Sequence, residues 1–332
     1  MNQELVDPFE RLLADASTPQ AVREIEAGGP ATDLWDAVES SGFADALVPE
    51  AQGGFGLALP DVFGLVVATG RHATPVPVGP TMLARAALAQ AGATIPREAI
   101  AIAPLAEEDR GRIVLRHAPY ALVADWFIAP LRNRWLLLPK AHARCTPSGI
   151  HGSLHGDLEW ESDAAAAFTG RLPVAWHNAG AVIAAAQIAG ALERVLETTL
   201  QFANDRVQFG RPLGKFQAIQ HQLAVLAENV AAARMAAEMG FDATGAWPQP
   251  MRAAAAKARA SQDAPLAAPM AHAIHGAIGV TAELDLQLFT RRLHEWRADF
   301  GAERLWNAVV GRALLASGSS TLDFMRNELL PS

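Results

Sequence analysis

Three kinds of hydrophobic pattern follow one another along the chain, and the first predicts a helical unit at residues 1–97. Helix-start signals and apolar stretches alternate there with loops. Thr32 and Asp61 suit the N-cap of a helix, and Pro80 suits its first turn. The helices predicted from these signals span residues 4–15, 32–41, 61–70 and 80–91.

The second pattern, at residues 98–172, consists of short apolar runs separated by glycine and proline. Runs of this length between turn residues are typical of β-strands. The strands predicted in this way are residues 111–116, 126–130 and 134–138. They favour a small and mostly antiparallel β unit.

The third pattern, at residues 173–332, predicts long helices. In the first of them Ile188, Leu192 and Val195 belong to a series of apolar positions at three- and four-residue steps, which is the spacing of one wide buried face. The abundance of alanine allows helices to approach closely, as in a tight bundle. The predicted helices span residues 175–204, 215–238, 248–278 and 285–315, so the predicted fold class is mainly α with a C-terminal helical bundle.

Composition and charge exclude several classes of protein. The chain has 332 residues, of which 51% are hydrophobic and 19% charged, so it is neither disordered nor limited to one small core. A formal net charge of −8 offers no general attraction for a nucleic-acid backbone, and an anionic ligand would need local basic residues. The single cysteine, Cys145, excludes an internal disulfide and a multi-thiolate metal site. The histidines also lack the spacing of metal ligands, so no metal is predicted.

The apolar segments predict no membrane span, because polar residues such as Gln187 and Lys257 interrupt them. The N-terminus carries acidic residues early and lacks the basic and apolar regions of a secretory signal. Together with the low cysteine content, these features predict a location in the cytoplasm.

The most distinctive segment is residues 206–217, which joins two of the predicted long helices. It contains Arg206, Arg211 and Lys215, two glycines that permit close backbone approach, and aromatic residues, all beside the start of the next helix. Guanidinium groups pair with phosphate oxygens, and a helix N-terminus adds backbone N–H donors, so the segment suits a phosphate group. The alternative is an ordinary turn between helices with arginines for solubility, since no phosphate-loop motif matches.

At this segment the chain resembles the acyl-CoA dehydrogenase family of flavoenzymes, whose loop follows the pattern R-x-Q-F-G-x-P-L-x-x-F-Q. Other family landmarks follow in the same order. Residues 48–56 resemble the P-E-x-x-G-G-x-G turn, residues 274–281 resemble the H/F-G-G-x-G-x-T loop, and Arg291 with Arg292 falls where the family has R-D. The resemblance covers nearly the whole chain. It implies an N-terminal helical domain at 1–97, a small, reduced β domain at 98–172 and a C-terminal four-helix bundle at 173–332.

The resemblance also implies a cofactor and an oligomer, because members of the family bind FAD at a subunit interface. The residues implied to hold this FAD are Arg206 at the pyrophosphate, Phe209 and Gln217 at the adenosine end, and Gly276, Ala277 and Gly279, which would receive the dinucleotide of the adjacent subunit. This placement implies a homo- or hetero-oligomer, either a dimer or a tetramer.

Two departures from the family pattern concern the cofactor. The middle unit is shorter than in the family, and no segment matches the T-E-x-x-x-G-S-D motif that covers the flavin. In the glycine loop, Ala277 replaces a usual glycine and Ala273 stands where a glutamine commonly contacts the cofactor. Binding of the isoalloxazine is therefore less well supported than binding of the pyrophosphate.

The family reaction is the α,β-desaturation of an acyl-CoA thioester. It needs a carboxylate to take the α-proton while the β-hydrogen leaves as hydride to the flavin, and a general base typically contributes about 10²- to 10⁴-fold. The resemblance places this carboxylate at Phe300, in a short loop, or near Gly180 and Ala181, and none of these residues is acidic. The nearest acid is Asp299, which is the candidate base, with a helix N-cap as its alternative role.

Three hypotheses about function follow. The first is an FAD-dependent acyl-CoA dehydrogenase that uses Asp299 as base or relies on another chain. The second is a catalytically silent subunit, since the chain is similar in length and in its W-R-x-[DE]-F-G stretch to short family members that pair into heteromers on bulky thioesters such as steroid side chains. One subunit of such a pair can lack the base and still supply cofactor contacts. The third is a helical scaffold without flavin, and the acyl group and electron acceptor stay open.

Overall fold

The computed structural model of the chain describes residues 3–162, 165–171 and 175–330. Within these residues the elements follow the predicted order of helices, strands and helices. Five α-helices come first: α1 Gln3–Ala16, α2 Pro19–Glu26, α3 Thr32–Ser41, α4 Leu59–Arg71 and α5 Val78–Gln90. The helix predicted at residues 32–41 is confirmed by α3, but its N-cap is Ala31, so the prediction of Thr32 as N-cap is wrong.

The short helix α2 is an element that the sequence pattern does not predict. Thr18 caps it, because the Thr18 hydroxyl oxygen accepts a hydrogen bond from the N–H of Ala21 at 3.2 Å, and Pro19 occupies its first turn. Val22 and Ile25 are its buried residues. Two apolar positions are too few to produce a recognisable helical period.

Eight short strands form two four-stranded sheets. They are β1 Ile100–Ile102, β2 Glu107–Asp109, β3 Arg112–Ala118, β4 Trp126–Leu131, β5 Arg134–Pro139, β6 Arg144–Pro147, β7 Gly156–Trp160 and β8 Phe168–Gly170. The strand orders are β1-β4-β5-β8 and β2-β3-β7-β6. Among the described strands β1 and β4 pair in parallel and the other neighbours are antiparallel, which confirms the predicted arrangement.

Each face of the first sheet has its own hydrophobic partner, because side chains alternate across a strand. Phe127 and Leu136 point towards the second sheet and form a core with Leu115 and Leu158. The opposite face carries Trp135 into the large core shared with the helices. The β unit therefore lies directly against the helical part of the molecule.

The C-terminal part is a four-helix bundle of α6 Trp176–Asp205, α7 Gln217–Phe241, α8 Pro250–His275 and α9 Leu286–Ala298. Two further helices follow, α10 Glu303–Ser317, which packs against α8, and α11 Thr321–Glu328. Between α6 and α7 lies a small hairpin of β9 Val207–Gln208 and β10 Arg211–Pro212. The predicted helical bundle is thus confirmed.

Helix α6 is the central helix of the bundle. Every residue from position 179 to 192 is buried. By length and hydropathy α6 could cross a membrane, but most of its apolar window is buried inside the fold. The apolar character of α6 is accounted for by its place in the core.

The single helix predicted at residues 285–315 is wrong, because the structure has two helices there. α9 ends at Ala298 and α10 begins at Glu303. Between them Phe300 and Gly301 have φ angles of 55° and 93°, which lie in the left-handed region and end a right-handed helix. The helix predicted to run to residue 278 ends at His275 for a similar reason, since Gly276 has φ 67° and ψ −151°.

Helices α4 and α6 cross with their backbones almost in contact. A Cβ atom added at Gly190 would lie 2.0 Å from the carbonyl oxygen of Val67, and one added at Gly70 would lie 2.1 Å from the carbonyl oxygen of Gln187. Side chains at these two positions are sterically excluded. The two glycines therefore set the distance between the N-terminal helices and the bundle.

Candidate functional site

The segment at residues 206–217 folds as a tight hairpin at the end of α6. Residues 207–208 pair with residues 211–212 in an antiparallel ladder. The two residues of the turn, Phe209 and Gly210, have φ angles of 51° and 79°. Two consecutive residues with positive φ are the signature of a type I′ turn, which matches the twist of a hairpin. The segment is therefore preformed rather than an irregular link between helices.

This hairpin presents an aromatic ring and a cationic group to solvent. Phe209 is 91% exposed. Its left-handed backbone costs about 1–3 kcal/mol in strain. The guanidinium of Arg206 is exposed, and the described residues place no carboxylate within 4 Å of it. With the Gln208 amide turned towards it, Arg206 Nη2 donates to the Gln208 side-chain oxygen at 2.9 Å. Arg206 is thus oriented by a neutral partner and keeps its charge for an anion.

Arg211 in the same hairpin has a different environment. Its guanidinium carbon lies 4.0 Å from the centre of the Phe216 ring, which is a cation–π contact. Gln217 follows directly as the first residue of α7 and is exposed. The two arginines therefore differ, because Arg211 is stacked on the hairpin and Arg206 is open to a ligand.

The second predicted cofactor segment is a glycine turn that follows α8. Gly276 adopts φ 67° and ψ −151°, a region that is essentially restricted to glycine, and no atom lies within 4 Å of where its Cβ would be. Gly279 is buried, and a Cβ there would lie 2.7 Å from the Cβ of His275. Ala277 is exposed between them. Nδ1 of His272 lies beside Gly279, and Nε2 of the same ring is 2.9 Å from the Thr290 hydroxyl.

The structure brings the hairpin and the glycine turn to one end of the bundle. Ile274 packs against Ala203 and Leu223, and the rings of Phe202 and His275 stack with their centres 4.4 Å apart. A cleft of about 270 Å³ lies beside them. The residues predicted from the sequence to hold a dinucleotide thus meet, while their role in binding it stays a prediction.

At the other end of α6 the structure brings together the two positions at which the resemblance places the family's carboxylate. The ring of Phe300, which is 7% exposed, lies on Gly180, and a Cβ added at Gly180 would be 2.1 Å from a ring carbon. His177 contacts the edge of the same ring and stacks on Trp306 with 5.0 Å between ring centres. Burial, with Lys257 nearby, lowers the pKa of His177. An aromatic cluster therefore fills the space beside Gly180.

Asp299 does not form an N-cap, since it is the C-cap of α9 and the N-cap of α10 is Ala302. The alternative role of Asp299 as an N-cap is therefore wrong. Its side chain is 8% exposed, and its Oδ1 atom lies 2.8 Å from Nε2 of His155. Burial alone would lower the pKa of His155, but the charge of Asp299, their hydrogen bond and the charge of Glu295 raise it above its ordinary value. The pair is an ion pair whose carboxylate is already engaged.

Two buried cations lie near Asp299, and the sequence analysis identified neither as a functional candidate, although it gave Arg292 as part of a family landmark. Lys257 donates from Nζ to the carbonyl oxygens of Trp296 and Arg297 at 2.8 and 2.9 Å, and to the Ser261 hydroxyl at 2.8 Å. Burial lowers the pKa of Lys257 to about 7. Arg292 pairs with carboxylates of α2 and α9, those of Glu26 at 2.9 Å and Glu295 at 2.8 Å.

The signals for these residues are weak in the sequence. A lysine within an alanine-rich helical stretch is one available signal, since a buried lysine can cap the C-terminus of a neighbouring helix. Lys257 does this by donating to carbonyl oxygens at the end of α9. No local pattern could have found His155, which lies 144 residues from Asp299 along the chain.

The two ends of α6 are far apart. Gly180 lies in α6 and Arg206 is the C-cap residue of that helix, 26 residues later, which corresponds to about 39 Å at 1.5 Å per residue. A dinucleotide held by Arg206 cannot extend from there to the space beside Gly180 of the same chain. Any reaction that uses both regions in one site therefore needs two chains.

The contact between Phe300 and Gly180 makes a testable prediction about packing. Replacing Gly180 with alanine should lower the free energy of unfolding by about 1–3 kcal/mol, because the new Cβ overlaps the Phe300 ring. Chemical denaturation of the purified chain measures this loss. In a Phe300→Leu background the same Gly180 substitution should cost less than half as much, and an equal cost in both backgrounds would contradict the contact.

Comparisons with known proteins agree with this architecture. Residues 177–315 match the model of a family described as the acyl-CoA dehydrogenase C-terminal domain. A Mycobacterium tuberculosis protein named acyl-CoA dehydrogenase IpdE2 is 32% identical over 302 residues, which cover 88% of this chain and 90% of that protein. The protein of the same name in Mycolicibacterium smegmatis is 32% identical over 301 residues, which cover 85% of this chain and 89% of that protein.

A solved structure shares the fold over nearly its whole length. A chain of the ChsE4-ChsE5 complex from Mycobacterium tuberculosis is similar with a TM-score of 0.81 and 22% identity, covering 96% of this chain and 98% of that chain. At this level of identity the likeness concerns the fold alone.

Proposed function

The chain belongs to the acyl-CoA dehydrogenase family of oxidoreductases, and from this we propose that it is one subunit of an FAD-dependent enzyme that desaturates an acyl-CoA thioester between its α and β carbons. In this proposal Arg206, Phe209 and Gln217 hold the pyrophosphate and adenosine end of FAD, together with the turn at residues 276–279. Bound FAD supplies the acceptor for the hydride that leaves the β-carbon. The carboxylate that takes the α-proton comes from a partner chain.

The residues at the hairpin end of α6 fit such a cofactor. Arg206 offers an exposed guanidinium without a carboxylate partner among the described residues, which suits a doubly charged pyrophosphate. The open backbone at Gly276 allows close approach of the dinucleotide. The exposed Phe209 ring offers an apolar surface to a base.

The distance along α6 favours an assembly of at least two chains. Because about 39 Å separates Arg206 from Gly180, the dinucleotide held by one chain serves a reaction site that includes another chain. The similar fold in the ChsE4-ChsE5 complex supports a heteromeric arrangement, and a homomeric dimer or tetramer is the alternative.

The observation that carries the silent-subunit form of this proposal is the contact between Phe300 and Gly180. Both family positions for the carboxylate lie there, and an aromatic ring fills the space between them. A phenyl ring cannot accept a proton, and it excludes water and substrate from this space. The chain then contributes cofactor contacts to a site whose base lies on its partner.

A second candidate is that Asp299 is the base in this chain. The observation in its favour is its buried position directly before Phe300, where an acid can acquire catalytic reactivity. Against it, the Asp299 carboxylate is held by His155, so His155 would have to move before substrate could approach. Asp299 as base is therefore the less supported form of the proposal.

The silent-subunit form of the proposal and the form with Asp299 as base predict different results for the substitution Asp299→Asn. We expect the assembled enzyme, purified through a tag on this chain, to keep its rate of flavin bleaching by acyl-CoA thioesters to within about threefold. Loss of a true general base would reduce that rate by about 10²- to 10⁴-fold. Stopped-flow absorbance at the flavin band measures the bleaching.

The matched control is Asp242→Asn, which removes a carboxylate paired with Arg252 outside this region. A hundredfold loss in Asp299→Asn, with FAD bound and Asp242→Asn unaffected, would assign the base to Asp299. A preparation that contains no flavin would instead overturn the FAD-dependent function itself.

A further inference from the structure

The turn at residues 299–301 is tethered from three sides. Asp299 pairs with His155. Trp306 Nε1 donates to the carbonyl oxygens of Phe300 and Gly301 at 3.0 and 3.1 Å. Lys257 holds the last carbonyls of α9 immediately before the turn. A left-handed conformation at a bulky residue such as Phe300 persists only where surrounding contacts hold it.

One of these three tethers comes from the β unit, and the other two come from helices packed around the turn. His155 lies directly before β7, and its Nδ1 atom is 3.0 Å from the Ser153 hydroxyl. Its ring stacks on His117, with 4.5 Å between ring centres, and the His117 backbone is itself left-handed at φ 46°. The imidazole is therefore held in place within the β unit. Its contact with Asp299 ties the β unit to the start of the turn.

We propose that the ion pair between Asp299 and His155 is a latch, which keeps the Phe300 ring on Gly180 and so keeps the space beside Gly180 closed. Asp299 adjoins Phe300, so a shift of its backbone moves the ring directly. When the latch is intact, the β unit and α9 hold the turn in one conformation. That closure matters for the reaction only if the proposed function holds, whereas the latch is a property of the chain alone.

The latch has a defined dependence on pH. The charged groups that face His155 are Asp299, Glu295 and Arg292 from the region of α9, and its neighbour on β3 is His117. Burial opposes the imidazolium, and the carboxylates outweigh burial, so the pKa of His155 in the folded chain lies above its ordinary value. The imidazolium that the ion pair needs is therefore formed below this raised pKa, and the pair weakens as the pH rises through it.

Hydrogen exchange of the turn tests the latch in the full chain. The reporting amides are the N–H groups of Asp299, Gly301 and Leu305, which donate to Glu295, Ala298 and Ala302 at 2.9 to 3.0 Å. In His155→Gln we expect these amides to exchange at least about tenfold faster than in the wild type after correction for intrinsic rates. In the wild type the corrected exchange should accelerate as the pH rises above about 6.5. In His155→Gln this acceleration should be absent.

The matched control is Thr81→Val, which removes another buried hydrogen bond between a helix and the β unit. The Thr81 hydroxyl on α5 donates to the carbonyl oxygen of Ile100 on β1 at 3.0 Å, and its other hydrogen bonds among the described residues are to Pro77 and to the N–H of Ile100. Exchange at residues 299–305 should stay within about threefold of the wild type in this variant. Equal acceleration of exchange in Thr81→Val and His155→Gln would overturn the latch and would indicate a general loosening of the contact between the helices and the β unit.

The wild-type pH series keeps the test decisive if His155→Gln does not fold. Corrected exchange that is flat above pH 6.5 would refute the latch without any substitution. None of these measurements needs flavin or substrate, so an enzyme that lacks FAD would refute the proposed function and leave the latch standing.

Discussion

Replacing Arg206 with glutamine is expected to weaken the binding of FAD to the assembled enzyme by about 10- to 100-fold, because a hydrogen bond to a charged group contributes about 1.5–3 kcal/mol. Arg206 is an exposed arginine of the hairpin, and its guanidinium is oriented by the neutral Gln208. Titration of the FAD-free assembly with FAD, followed by flavin fluorescence, measures the dissociation constant. Arg206→Lys should recover part of the loss, since lysine keeps the charge but not the two-pronged geometry.

The hairpin offers its own control for this experiment. Arg211→Gln removes the same charge five residues away, but the Arg211 guanidinium is stacked on Phe216. We expect this variant to bind FAD within about threefold of the wild type, because an exposed cation–π contact contributes only about 0.5–1 kcal/mol. If both substitutions had the same effect, a diffuse positive potential would explain binding. If neither had an effect, the pyrophosphate assignment of Arg206 would be wrong.

The features of the hairpin end of the bundle are local in the sequence, whereas the contacts at the opposite end are not. All the features of the hairpin lie within residues 206–217, so their types and spacing are visible as one local motif. The glycine turn is equally local, because Gly276 is required by its own backbone angles. The sequence does not reveal that the hairpin and the glycine turn lie close together, because the packing of Ile274 on Ala203 depends on the whole bundle.

At the opposite end the decisive contacts join distant parts of the chain. Asp299 was identified as a candidate base from its position, yet its partner His155 lies in the β unit, 144 residues earlier. Phe300 meets Gly180 across a similar separation in sequence. The alternation of apolar and polar residues also continued smoothly from α9 into α10, so the pattern predicted one helix where a left-handed residue makes two.

The family positions for the carboxylate become informative only in three dimensions. In the sequence, Phe300 and Gly180 are two separate places without an acid. In the structure the two residues are in contact, and the Phe300 ring fills the space that the missing side chain of Gly180 leaves open. The Phe300 ring and the missing side chain at Gly180 therefore complement each other in one packing contact, and the neighbouring His177 and Trp306 complete it.

Substituting alanine for Gly190 should have the largest effect on stability among the changes considered, at roughly 3 kcal/mol, the upper end of what overpacking usually costs. The added Cβ would lie 2.0 Å from the carbonyl oxygen of Val67 and 2.9 Å from the backbone nitrogen of Arg71. Backbone atoms in a helix cannot rotate aside as a side chain can, so α4 would have to move away from α6. Urea denaturation of the purified chain measures the change in the free energy of unfolding.

Gly311→Ala is the control, because Gly311 lies within α10 and no atom is within 4 Å of its added Cβ. There alanine should stabilise the chain by about 0.5–1 kcal/mol through its higher helix propensity. A loss of unfolding free energy in Gly190→Ala and a gain in Gly311→Ala would show that the crossing of α4 and α6 depends on backbone contact. A cost below about 1 kcal/mol at Gly190 would mean that the two helices can separate easily, and the N-terminal helices would then not fix the position of α6 between its two functional ends.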